Sequence, residues 1–164
     1  MTGGEIVSQV CATYKMLDCR KFSGHVAVEI MKHALTEEGI ETSARDVFIW
    51  GLPVEWDLLI PRDGATPMFN GLLYEPAQVK IAIEVKLSGI CGGSKTLEGV
   101  RKNFELAKGV GVQCAYVALC DRQRQAATTE KLGWNAFNLT WSLGHERREE
   151  TGDWSRLLKF LCEA

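Results

Sequence analysis

"IAIEVKLSG", residues 81–89, is a β-prone run with an acid and a base in its interior. Ile81, Ile83, Val85 and Leu87 recur at the two-residue period of a strand and make one apolar face. Ala82, Glu84, Lys86 and Ser88 make the other, and Lys80 just before extends that second face. A carboxylate and an ammonium side by side in such a strand need a reason, because burying charge is costly unless it is paired or put to use.

Around this strand the chain alternates helical and extended patterns. Residues 5–18 read as a helix on Ile6, Val10 and Leu17. A second helix spans 22–39, with Val28, Met31 and Leu35 in one stripe, Val26, Ile30 and Ala34 widening it, and Gly39 as its C-terminal cap. "DVFIWGLPVEWDLLIPRDG" reads as a hairpin about a Gly-Leu-Pro turn, with Val54, Trp56, Leu58 and Ile60 on one face and Glu55, Asp57 and Leu59 on the other. The stretch 61–78, with three prolines and two glycines, reads as a loop. After the central strand come a glycine-rich connection "GICGGS" and a helix ending at Gly109. "QCAYVALC" follows as a strand buried on both faces, then a short helix in "RQAATTEKLG", a strand in "WNAFNLTWSL" and an amphipathic helix in "DWSRLLKFLCEA". The expected class is α/β: a mixed β-sheet core flanked by helices, in a single domain spanning 1–164.

The 164 residues are 46% hydrophobic and 24% charged. No apolar run approaches membrane-spanning length, and "MTGGEIVSQV" lacks a basic-then-apolar signal pattern, so the expectation is a cytoplasmic protein with no membrane partner. Six cysteines without a CxxC pair argue against a zinc site or a disulfide framework. The net charge is −2, so a nucleic-acid partner would have to meet a local cationic patch. Most of the tryptophans, at 50, 56, 134, 141 and 154, read as core or interface residues and none as a base-stacking platform.

Two neighbouring strands thus present acids: Asp57 on one, Glu84 with Lys86 on the other. Two carboxylates a few ångströms apart form an oxygen cage for a hard divalent cation. At this point the chain resembles the PD-(D/E)XK nuclease superfamily, with Asp57 in "VEWDLLI", Glu84 and Lys86 in "IAIEVKLSG", and Glu29 in "SGHVAVEIMKHAL". The resemblance runs from about residue 23 to 120. It implies a restriction-endonuclease-like fold and Mg²⁺- or Mn²⁺-dependent hydrolysis of DNA phosphodiesters. Asp57 and Glu84 would bind the ion with the main-chain carbonyl of Val85, and Lys86 would orient the attacking water and steady the phosphate charge. Glu29 would bind a second ion or the water it carries. The chain departs from the pattern at Trp56, where the family often has proline, and in its long interval between Asp57 and Glu84. Glu55 therefore stays a rival to Asp57, and His25, one helical turn from Glu29, is an accessory candidate.

The cations expected to meet substrate phosphates are Lys95, Arg101 and Lys102, with Arg122 and Arg124 beyond. The size suits a Holliday-junction-resolvase-like enzyme or a small restriction or repair enzyme working as a homodimer. Three other readings stand beside this one. The acids and Lys86 form a cross-strand salt bridge and nothing more; the chain is a nuclease fold that binds nucleic acid without cutting it; or "GICGGSKT", Gly89 to Thr96, is a phosphate-binding loop in which Ser94 replaces the second glycine.

Overall fold

The computed structural model describes residues 2, 3, 5, 24–88, 94–120, 135–139 and 153–164, with the main chain alone at 24, 87, 88, 94–97, 119, 120 and 138. The expected helix over 5–18, all but its first residue, lies outside these residues. So do the "GICGGS" connection up to its serine, the "RQAATTEKLG" helix, Arg122, Arg124, Trp134 and Trp141.

Helix α1, Gly24–Glu37, buries Ala27, Val28, Met31, Ala34 and Leu35, the stripe its spacing requires. It ends where Gly39 takes a φ of +74°. The Ile40 amide then donates to the Leu35 carbonyl and the Gly39 amide to that of Thr36, the paired bonds of a Schellman cap.

The architecture is mixed α/β, and its described strands divide between two sheets. Strands β1 (Val47–Ile49), β2 (Glu55–Trp56) and β4 (Leu73–Tyr74) form the smaller, in the order β2-β1-β4. The larger has the order β3-β5-β6-β7, from Leu58–Pro61, Val79–Ser88, Gln113–Cys120 and Ala136–Asn138. Within it β3 runs antiparallel to β5, while β5, β6 and β7 are mutually parallel. Helix α2, Ser94–Gly109, makes the crossover from β5 to β6 that a parallel pair demands. Helix α3, Asp153–Glu163, closes the chain.

The core lies on both sides of the larger sheet. Ile81, Ile83, Val85, Ala115 and Val117 pack against α1 and against Leu157 and Leu161 of α3. Ala82, Tyr116 and Ala118 pack with Val100, Phe104 and Ala107 of α2 and with Trp56 of the smaller sheet. Strand β6 is accordingly apolar on both faces, as "QCAYVALC" implies.

Three expectations need correction. The run from Val54 to Ile60 does not keep one face: Val54 and Trp56 join the α2 side, whereas Leu58 and Ile60 join the α1 side. The chain bends at Asp57 as it leaves one sheet for the other, and the bend reverses the alternation. Lys80 does not extend the Glu84 face. The register between β3 and β5 shifts so that Ile60 faces Ile81 and Pro61 faces Val79, which bulges Lys80 out of the ladder. Its ammonium instead donates to the carbonyls of Leu161 (2.9 Å) and Cys162 (3.3 Å), capping the end of α3. The proline-rich stretch is also more than a loop. It holds β4, which pairs in parallel with β1 through Phe48 and Leu73, and a 3₁₀ turn at Pro76–Gln78. A two-residue strand is too short to show any period.

Ser43 ties the segment before β1 to β3. Its amide donates to the Leu59 carbonyl (2.9 Å), and its buried hydroxyl accepts from the Leu59 amide (2.8 Å). Ser43→Ala should leave that amide without its partner and cost about 1–3 kcal/mol of stability. Urea denaturation measures this, and an unchanged midpoint would refute it.

Candidate active site

Asp57 sits at the single-residue junction between β2 and β3. Leu58 faces Ile83 and Leu59 faces Ala82, so the register carried one step further brings Asp57 opposite Glu84. No main-chain acceptor continues β3 there, and the Asp57 carboxylate takes the place of one, accepting the Val85 amide at 2.7 Å. A strand residue turns its N–H and C=O to the same edge. The Val85 carbonyl therefore faces the Asp57 edge as well.

A third acid approaches from the other side of Asp57. In the β1–β2 hairpin Phe48 faces Glu55 and Val47 faces Trp56, and Asp46, just before that last pair, comes near enough for its charge to act on Asp57, just after it. Asp46, Asp57 and Glu84 thus form a lateral row across three segments of chain. Asp46 was missed in the sequence, although the signal was there. In "DVFIWGLPVEWD" the two aspartates are symmetric about the turn, and pairing the hairpin from its centre matches them.

The electrostatics follow from this crowding. Burial is the main cause that pushes the Asp57 carboxyl up from 3.8 to about 6. The charge on Glu84 adds to it and Asp46 contributes in the same direction, against the Val85 amide and Lys86. Lys86 makes an ion pair with Glu84, whose side chain is only 17% exposed. Like charges held opposite one another in a sheet are destabilising, and the Lys86 ammonium offsets part of that repulsion.

Glu29 enters the site indirectly. Its helix packs on the Ile81, Ile83 and Val85 face, the reverse of the face that carries Ala82 and Glu84. The Glu29 carboxylate is 56% exposed and lies 3.6 Å from Nη1 of Arg45. Arg45 Nε in turn contacts Asp46 at 3.1 Å, and His25 Nδ1 lies 3.6 Å from the same Asp46 oxygen. A chain of Glu29, Arg45 and Asp46 therefore links the helix to Asp57. Glu55 is exposed on β2, in the smaller sheet, so the register favours Asp57 as the neighbour of Glu84.

Among the described residues no three His, Cys, Asp or Glu side chains are grouped so as to hold an ion by themselves. The donor set that could hold a hard cation is Asp57 and Glu84 with the Val85 carbonyl, three oxygens on neighbouring segments.

Of the expected phosphate contacts, Lys95 lies in the first turn of α2, and only its main chain is described. Arg101 is exposed but shared between Glu98 (3.2 Å) and Glu105 (3.9 Å) of its own helix. Lys102 is exposed, with no ion pair among the described residues. A cavity of about 830 Å³, lined by Arg62, Tyr74, Lys80 and Cys162 among others, lies apart from the acid row. The described helices include none long and apolar enough to cross a membrane. Neither a family model nor a curated protein matches this chain.

Proposed function

We propose that this protein is a metal-dependent nuclease of the PD-(D/E)XK kind, hydrolysing phosphodiester bonds in DNA and working as a homodimer. The observation that carries the reading is the Asp57–Glu84 pair beside Lys86, with the Val85 main chain turned to the same edge. The order of these residues on a strand end, a central strand and that strand's next outward position supports it further.

Asp57, Glu84 and the Val85 carbonyl would hold Mg²⁺ or Mn²⁺, hard ions suited to oxygen ligands. The ion supplies Lewis-acid stabilisation of the charge that builds on the phosphate. With Glu84 turned to such an ion, the Lys86 ammonium would be freed from its ion pair to orient the attacking water and steady the phosphate oxygens. Arg45 anchors Glu29 within reach of the site's rim. Lys102 and Lys95 on α2, with Arg101 once released from its helical acids, meet the flanking phosphates.

The test is incubation of the protein with plasmid, branched and single-stranded DNA in Mg²⁺, Mn²⁺ or EDTA. Cleavage that requires metal is expected. A shifted but uncut substrate would mean a binding protein on a nuclease scaffold, and phosphate released from ATP would favour the phosphate-loop reading. Lys86→Ala should lose cleavage by about 100-fold or more while calorimetry still detects metal binding. Loss of both together would place Lys86 in the fold rather than in the chemistry.

A further inference from the structure

We propose that the exposed apolar patch of the smaller sheet, built on Phe48, Trp50, Phe69 and Leu72, is the surface on which a second copy of this chain docks. This gives the homodimer its interface, and it rests on that part of the reading above rather than on the cleavage chemistry.

The patch follows from the strand pattern. In β1 Val47 and Ile49 are buried, so Phe48 between them points outward and is 39% exposed. Trp50 continues the alternation just past the strand end and is 56% exposed. The Phe48 amide donates to the Leu72 carbonyl, and the Leu72 amide to that of Phe69, which sets these residues side by side. Phe69 is 70% exposed and Leu72 47%. Val47, Ile49 and Tyr74 of the same sheet belong to the core with Val100 and Phe104 of α2, so the patch is what the sheet leaves uncovered.

The turn that carries Phe69 is strained. Phe69 has a φ of +50° and Asn70 a φ of +56°. Asparagine tolerates that left-handed conformation, but a bulky side chain such as phenylalanine is rarely found in it. So exposed a ring gains little from burial within one copy. Strain that the fold itself does not offset points to a use of the residue in binding.

Area and charge select the occupant. At these exposures the four side chains present roughly 400 Å² of apolar surface, since a fully covered aromatic side chain accounts for about 150–250 Å². Two such patches together remove roughly 800 Å² from water, and a polar rim brings the total into the range of about 1,200–2,000 Å² that stable pairs bury. Two exposed acids flank the patch. Glu55 faces Phe48 in the register, and Glu75 follows Tyr74, whose carbonyl accepts the Trp50 amide. Their carboxylates repel a phosphate backbone, which disfavours stacking of these aromatics on nucleobases. A uniformly apolar patch is by contrast its own complement, as a two-fold contact between identical chains requires.

Sedimentation velocity of the full chain over a concentration series tests the assignment. The wild type should pass from monomer to dimer as concentration rises. Trp50→Ser should raise the dimer dissociation constant by about 30-fold or more, the effect of losing a central aromatic anchor, and leave the urea midpoint of the dilute monomer unchanged. Phe69→Gly and Phe69→Ala should each raise that constant by about tenfold. Of these two, the glycine variant should be the more stable as a monomer, because only glycine releases the strain. A wild-type monomer throughout, or a dimer that all three substitutions leave intact, would overturn the assignment. So would a Phe69→Gly monomer less stable than Phe69→Ala, or a Trp50→Ser monomer with a clearly lowered midpoint. A monomer whose affinity for a single-stranded oligonucleotide falls with Trp50→Ser would give the patch to nucleobases and overturn the docking of a second copy. A dimer that obeys these expectations but cleaves no DNA would refute the nuclease chemistry and uphold the surface, whereas a cleaving monomer would refute the surface alone.

Discussion

Glu84→Gln should reduce metal-dependent DNA cleavage by at least about 1,000-fold while the protein remains folded. Glutamine keeps the volume and an acceptor for Lys86 but removes one of the two charges that would hold the cation. The strand itself should not suffer. Ile83 and Val85 on either side are buried on the α1 face, and the side chain at 84 contributes no apolar contact to that core. Cleavage rates, calorimetric titration with Mn²⁺ and far-ultraviolet circular dichroism together decide the point. Cleavage within tenfold of wild type would remove Glu84 from the site, whereas a changed spectrum would show that the residue serves the fold.

Asp57→Asn should stabilise the metal-free protein at neutral pH. The wild-type carboxyl titrates near 6 when folded against 3.8 ordinarily, because burial and the Glu84 charge disfavour its ionised form. Between those values the folded state binds more protons than the unfolded one, so the group's contribution to stability falls as pH rises through the window. Above pH 6 the loss is complete, and the rise corresponds to roughly 3 kcal/mol. Asparagine retains an oxygen to accept the Val85 amide and does not titrate. The two proteins should therefore be alike near pH 4 and diverge up to pH 6.5, with the Asp57→Asn protein the more stable. Urea midpoints in EDTA across that range provide the measurement, and parallel curves would show that Asp57 is not under this strain. Added Mg²⁺ should reverse the order by stabilising only the wild type, since a ligand that binds the folded state alone adds to its stability.

A residue that destabilises the protein in its resting form is a familiar sign of function. The placement of Asp57 points the same way. It lies where the chain changes sheets, half in the β1–β2 hairpin and half in the β3–β5 ladder, and each register brings it near another acid. Lys86 pairs with Glu84 and its charge also acts on Asp57, but burial and the Glu84 charge outweigh it there, while Arg45 contacts Asp46 and Glu29.

The local elements were legible in the sequence because local physics makes them. Helix α1 announced its stripe and its glycine cap, β6 its double burial, α3 its amphipathic face, and β5 its apolar odd positions with Glu84 and Lys86 between them. The alternation of these elements was enough for the α/β class. Three things were left to tertiary structure. A bulge at Lys80 moved that lysine from the acid face to the end of α3, since a strand's period holds only while its ladder is unbroken. The bend at Asp57 split one apparent strand between two sheets, a consequence of which partner each half finds. The row of Asp46, Asp57 and Glu84 required both registers at once. The turn at Gly51 sets the first register over a short range, so it could have been read in advance. The second joins residues separated by the whole proline-rich segment, and no local pattern encodes it, because only packing of the two strand faces against α1 and α2 fixes how far β3 slides along β5.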